Sequence, residues 1–204
     1  FGSFFKNGYA VANMAYRLVD KGTAPAAIED VRCALIYIIK NAKELNINPN
    51  KIVIMGGSAG GHLALMGGLL ANNTIFDSNC NFDGTIKVAA IINKYGVADL
   101  EPLKDWKSAK NWLGIKSDNS KFIKSVSPIN YVYPTSPPVF IVHGTADPIV
   151  PFRQSLLLFN KLKENGVVTQ IISIEGGLHG KFTKEQNKHI QNELWNFLND
   201  LNLK

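Results

Sequence analysis

The residues Gly56-Gly57-Ser58-Ala59-Gly60 form a G-x-S-x-G sequence between a short apolar run, Lys51 to Met55, and a stretch, His62 to Ala71, that reads as a helix. A serine there suits nucleophilic attack on a carbonyl. It would project from a sharp strand-to-helix turn, which needs neighbours without bulk at Gly56 and Gly60, a run that Gly61 extends. The start of the following helix would present free N–H groups and the positive end of its dipole, and the Ala59 N–H would face a developing oxyanion. A glycine-rich turn that merely closes a strand–helix unit is the competing reading. The flanking strand and helix patterns favour the nucleophile.

A serine nucleophile needs a base, and the base needs an orienting acid. The chain holds four histidines. His62 follows the serine turn and is expected to begin a helix. His143 sits at a strand end with a structural role in its turn, and His189 lies on the surface of the last helix. His179, in Glu175-Gly176-Gly177-Leu178-His179-Gly180, follows the last strand, where glycines allow a loop to carry an imidazole over the sheet edge. Two acids also follow strands, Asp147 in His143-Gly144-Thr145-Ala146-Asp147-Pro148 and Asp99 in Tyr95-Gly96-Val97-Ala98-Asp99. A turn-stabilising side chain is the alternative for each. Asp147 is preferred because it directly precedes His179 in the order of strands.

Positioning these residues requires strands that end beside one another. Continuous apolar runs at Lys51–Met55, Lys87–Asn93 and Pro138–Val142, with Thr169–Ile174 as the last, suit parallel strands buried on both faces. Tyr9–Leu18 also reads as a strand. Ile28, Val31, Leu35, Ile38, Ala42 and Leu45 recur as one face of a helix stopped by Asn48-Pro49-Asn50, and helices are expected at Ser155–Asn165 and Phe182–Leu201. The alternation predicts an α/β fold with a mostly parallel sheet and helices on both faces, whose ligands bind at the carboxyl ends of the strands. Residues 99–137 break the rhythm. They read as an excursion over the sheet edge that supplies part of a substrate rim, with Trp106 and Trp112 as candidate substrate contacts.

Composition narrows the class further. The chain has 204 residues, 46% hydrophobic and 19% charged, which suits one globular domain. Its formal net charge of +6 comes from scattered lysines rather than a basic cluster with interleaved aromatics, so a nucleic-acid partner is not expected. No apolar run reaches the roughly 18–20 residues of a membrane span. The two cysteines, Cys33 and Cys80, are too few for a disulfide scaffold, and Cys33 reads as a small core residue. No Cys or His spacing suits a metal, and no cofactor is called for.

Taken together, the chain resembles the α/β-hydrolase fold esterases, in particular the lipase/esterase group that includes bacterial feruloyl and acetyl esterases. The matching pieces are Gly8-Tyr9-Ala10-Val11 leading to Tyr16-Arg17-Leu18, Pro25-Ala26-Ala27 with Glu29-Asp30, Gly57-Ser58-Ala59-Gly60-Gly61, Ser127-Pro128, His143-Gly144 with Asp147, Val150-Pro151, Gln154-Ser155, and Gly176-Gly177 with His179-Gly180. The resemblance implies a catalytic domain over residues 1–204, with Ser58 as nucleophile, Asp147 as acid and His179 as base. It implies a small-molecule or carbohydrate ester as substrate. Those esterases carry a His-Gly-Gly motif upstream of the Gly-Tyr-Ala-Val strand, where it supplies another oxyanion donor. Its absence before Tyr9 leads to the expectation of an N-terminally truncated sheet. The same triad serves prolyl-oligopeptidase-like peptidases and arylformamidases, and a non-catalytic binding module could keep the fold. Comparing nitrophenyl esters with the matching anilides separates the first two, and fluorophosphonate labelling of Ser58 separates the last. Cellular location is left open.

Overall fold

The computed structural model describes residues 2–203. In chain order the helices and strands are α1 (Gly2–Lys6), α2 (Ala26–Lys40), β1 (Val53–Gly57), α3 (Ala59–Leu69), β2 (Ala90–Lys94), α4 (Lys107–Leu113), α5 (Ser120–Ser125), β3 (Val139–Gly144), α6 (Arg153–Glu164), β4 (Thr169–Ile174) and α7 (Lys184–Asp200). The strands form one four-stranded sheet in the order β1-β2-β3-β4, and every neighbouring pair is parallel.

The middle of the sheet is apolar because its strands serve two cores. Successive side chains point to opposite faces. Ile91, Val139 and Ile141 enter a core built with α2, α3 and α6, whereas Ala90, Ile92, Phe140 and Val142 enter a second core closed by Ile190, Leu194, Phe197 and Leu198 of α7. Helices therefore cover both faces, as the sequence pattern predicts. A Thr183–Gln186 capping box satisfies backbone N–H groups at the start of α7 and places that start after Thr183, two residues later than the apolar pattern suggests.

Several elements differ from expectation. Tyr9–Leu18 forms no strand. A strand exists through its ladder, and β1 pairs only with β2 among the described residues, so this apolar segment has no partner to order it. Helix α2 stops at Lys40, where the Asn41 N–H folds back on the Tyr37 carbonyl at 3.0 Å. Asn46 takes a left-handed φ of 52°, and Leu45 is exposed rather than on the core face. Residues 99–137 are not a simple flap over an edge. Leu113, Ile123, Val126, Tyr131 and Val132 are buried in the same core as α2 and α3. Ser127 locks the segment, its Oγ accepting from the Leu100 N–H at 3.0 Å and donating to the Ile123 carbonyl at 2.8 Å.

Cys33 is not a free core residue, because its sulfur is bonded to that of Cys80. Its face of α2 meets the loop after α3, and the same contact holds a buried ion pair. Arg32 Nε and Nη2 donate to the two carboxylate oxygens of Asp77 at 2.8 and 2.7 Å. The disulfide closes a loop with a sequence separation of 47. Constraining a loop of that length in the unfolded chain stabilises the fold by about 4 kcal/mol in the chain-entropy description. Joint replacement Cys33→Ser and Cys80→Ser, or reduction, is therefore expected to cost about 2–4 kcal/mol. Urea unfolding with and without reductant reads this directly. Coincident unfolding midpoints would show that the bridge contributes nothing.

Candidate active site

The elbow at Ser58 is built by backbone contact. Ser58 has φ 55° and ψ −123°, a region that costs a non-glycine residue on the order of 1–3 kcal/mol. Two bonds hold it there. Its N–H donates to the Lys94 carbonyl of β2 at 2.9 Å, and its carbonyl accepts the His62 N–H at 3.1 Å. A Cβ on Gly56 would lie 2.0 Å from the Gly60 carbonyl oxygen, so glycine is required at 56. Gly60 differs from expectation, since a Cβ there meets nothing within 4 Å, whereas Gly61 is tightly held as expected, and a Cβ there would lie 2.6 Å from Asn93 Oδ1. Serines at helix starts commonly cap the helix, but the Ser58 side chain does not. Its Oγ is free for chemistry.

That oxygen lies 2.7 Å from His179 Nε2, and His179 Nδ1 lies 2.6 Å from Asp147 Oδ2. Because an ionised carboxylate only accepts, His179 Nδ1 carries the proton, and Nε2 accepts the Ser58 hydroxyl proton. The loops carrying Asp147 and His179 are braced together. A Cβ on Gly144 would lie 2.1 Å from the Gly177 carbonyl oxygen. The Thr145 N–H donates to Ile174 O at 2.9 Å, the Ala146 N–H to Gly177 O at 3.1 Å, and the Gly176 N–H to Thr145 Oγ1 at 2.9 Å.

The Asp147 side chain is fully buried, whereas 20% of the His179 side chain is exposed. Burial pushes the Asp147 carboxyl up. The Val150 N–H, the His179 imidazole and the Ile149 N–H outweigh it and hold the carboxyl below the usual range. Asp147 Oδ1 accepts the two N–H groups at 2.8 Å from Ile149 and 2.9 Å from Val150. Asp99 is placed differently. Its Oδ1 accepts the Glu101 N–H at 3.1 Å in a local turn, and its own N–H is held by Gln154 Oε1 at 2.8 Å.

The remaining candidates are not drawn into this hydrogen-bonded set. His62 is buried, donates to the Val126 carbonyl at 2.8 Å and is pushed down to about 4 by burial, which keeps it neutral. It lies inside α3 rather than at its start. Trp112 packs edge-on against the His62 ring at 5.2 Å and against the core, while Trp106 precedes α4 and is 41% exposed. His189 is exposed. Ala59 opens α3, and the first intrahelical bond runs from His62 to Ser58, so its N–H has no intrahelical acceptor.

Two neighbours escaped the sequence reading. Tyr95 follows β2 with a left-handed φ of 43°, and its ring packs edge-on against His179 at 4.7 Å. Burial, and next the charge of Asp147, push its phenol up, so it stays neutral. His143, read as a turn residue, reaches Asp147 itself. The signal available for both was their place immediately at a strand end.

The BD-FAE family model matches residues 1–162, which include Ser58 and Asp147. The chain belongs to the BD-FAE family. His179 lies beyond the matched range and joins the site through geometry alone. The chain is 32% identical over 169 residues to esterase LipQ of Mycobacterium tuberculosis, covering 79% of this chain and 40% of LipQ. Among solved structures it is similar to a truncated carbohydrate esterase from gut microbiota, with 27% identity, a TM-score of 0.75, and coverage of 94% of this chain and 74% of that one. It is also similar to an acetyl ester-xyloside bifunctional hydrolase from Caldicellulosiruptor lactoaceticus, with 28% identity, a TM-score of 0.76, and coverage of 89% and 69%. These family relatives share the α/β-hydrolase fold of the parallel sheet described above. The chain spans about two fifths of the length of the curated relatives it matches.

Proposed function

We propose that this chain carries the catalytic centre of a serine hydrolase of carboxylic esters. The observation that carries the reading is the unbroken line of short contacts from Ser58 Oγ through the His179 ring to Asp147, on a serine held at φ 55°. Ser58 Oγ attacks the ester carbonyl carbon while His179 Nε2 takes its proton. The imidazolium so formed is stabilised by Asp147 and hands the proton to the departing alcohol. Water then enters and its oxygen bonds the acyl carbon as His179 Nε2 takes its proton; the bond to Ser58 Oγ breaks, the acid leaves, and His179 returns that proton to Oγ. The Ala59 N–H donates to the carbonyl oxygen as it becomes negative.

The substrates that suit this reading are short acyl or feruloyl/acetyl esters, including those on carbohydrates, in keeping with the carbohydrate-esterase relatives. Residues 99–137, with Trp106, are assigned to the rim that meets the substrate, and Trp112 to the packing behind it.

The test is direct. The chain is expected to be labelled by a fluorophosphonate probe at Ser58. It is also expected to turn over nitrophenyl acetate much faster than the matching anilide. Faster turnover of the anilide would assign an amidase or peptidase instead. Failure of Ser58 to react in the folded protein would leave only a binding module.

A further inference from the structure

His143 is buried at the end of β3, and both of its ring nitrogens are engaged. Its Nε2 lies 2.9 Å from the Val150 carbonyl oxygen and 3.1 Å from Asp147 Oδ2, while Nδ1 lies 2.7 Å from Ser155 Oγ in the first turn of α6. A carbonyl can only accept, so Nε2 must carry a proton. A hydroxyl can donate, so Nδ1 can keep its lone pair and accept from Ser155. Phe152 closes one side of the ring edge-on at 5.7 Å.

Asp147 therefore receives four donors. Two N–H groups fix Oδ1, and the His143 and His179 rings share Oδ2. Hydrogen bonds to a carboxylate draw off charge and set its orientation. The oxygen that steadies His179 is thus itself steadied by a second imidazole.

We propose that His143, locked by Ser155 and Val150 as the neutral Nε2–H tautomer, is a positioning residue for Asp147: it aims the carboxylate at His179 and tempers its charge. The assignment of catalytic roles rests on the ester-hydrolase reading, but the hydrogen-bond arrangement does not. Burial pushes the His143 imidazole down, against the opposing pull of the Val150 carbonyl and Asp147, which suits a ring that stays neutral. The ionisable groups around the two rings are Asp147, Tyr95 from the end of β2, and each ring to the other.

Long-range proton–nitrogen NMR on the whole chain reads both imidazoles without any substrate. His143 is expected to be neutral with its proton on Nε2 at pH 7. In His143→Phe, Asp147 Oδ2 loses a donor and attracts the His179 imidazolium more strongly. The His179 Nδ1 proton, bonded to Asp147 Oδ2, should then resonate further downfield, the mark of a stronger hydrogen bond. The same variant should lose about ten- to a hundred-fold in kcat at nearly unchanged KM, the size of one hydrogen bond to a charged group. His143→Gln places an amide N–H near Nε2 and should restore the wild-type Nδ1 proton resonance of His179. A purely structural role would lower the melting temperature of both variants and leave the His179 Nδ1 proton resonance in place.

A proton on His143 Nδ1, a charged His143 at pH 7, or an unmoved His179 Nδ1 proton resonance in folded His143→Phe overturns the proposal. If His143→Phe does not fold, the tautomer in the wild-type chain and the His179 Nδ1 proton resonance in His143→Gln still decide. Fluorophosphonate labelling of wild-type Ser58, run alongside, tests the ester-hydrolase reading separately. Its failure leaves both NMR readouts intact.

Discussion

Ser58→Ala is expected to abolish ester hydrolysis, with a loss on the order of a million-fold in turnover, the scale seen when a nucleophile acting as a unit with its base is removed. The alanine variant keeps the Cβ and the backbone bonds to Lys94 and His62, so the elbow should survive and His179 should lose only its hydrogen-bond donor. Ser58→Gly is a sharper companion. Glycine accepts φ 55° without steric cost, so this variant should be equally inactive yet more stable than wild type by about 1 kcal/mol. Ester turnover and urea unfolding of both variants check the pair of expectations. Near-normal hydrolysis by purified Ser58→Ala would remove Ser58 from the mechanism. A less stable Ser58→Gly would show that the elbow is unstrained.

The second large effect belongs to the acid. In Asp147→Asn, the Ile149 and Val150 N–H groups demand an oxygen at Oδ1, which forces the amide NH2 into the place of Oδ2. There it faces the Nε2–H of His143 and donates to His179 Nδ1. His179 would then hold its proton on Nε2, facing Ser58, and could not act as base. A loss of about four orders of magnitude in turnover is expected, the scale of the same change in a trypsin-type triad. Asp99→Asn keeps an oxygen to accept the Glu101 N–H and should change turnover by no more than about two-fold. Parallel kcat measurements on the two asparagine variants decide between the acids. A crippled Asp99→Asn beside an active Asp147→Asn would reverse the assignment.

The elbow was legible because its requirements are local. A serine between an apolar run and a helix, with glycine at 56, can be recognised over a few residues, although the reason for Gly60 was misjudged and the tight approach falls on Gly61. The parallel sheet was legible because double-faced burial leaves continuous apolar runs, and β4 matches its expected bounds, Thr169–Ile174. Tyr9–Leu18 was misread for the complementary reason. Its composition suits a strand, but a ladder depends on a partner that composition cannot supply. The Cys33–Cys80 bond was likewise invisible, since two cysteines in one chain say nothing about their distance in space.

The sequence by itself determined which residues could do chemistry, the order in which they follow strands, and the α/β class that brings strand ends together. These follow from residue type and periodicity, which act over short stretches of chain. Only the tertiary structure decided that Ser58 and His179 meet across a sequence separation of 121, that Asp99 closes a turn, that His143 bonds Asp147, and that Tyr95 packs on His179. Those outcomes depend on strand register and on the packing of loops such as Gly144 against Gly177. A displacement of an ångström there breaks a hydrogen bond, and such distances are properties of the folded chain rather than of any short run of residues.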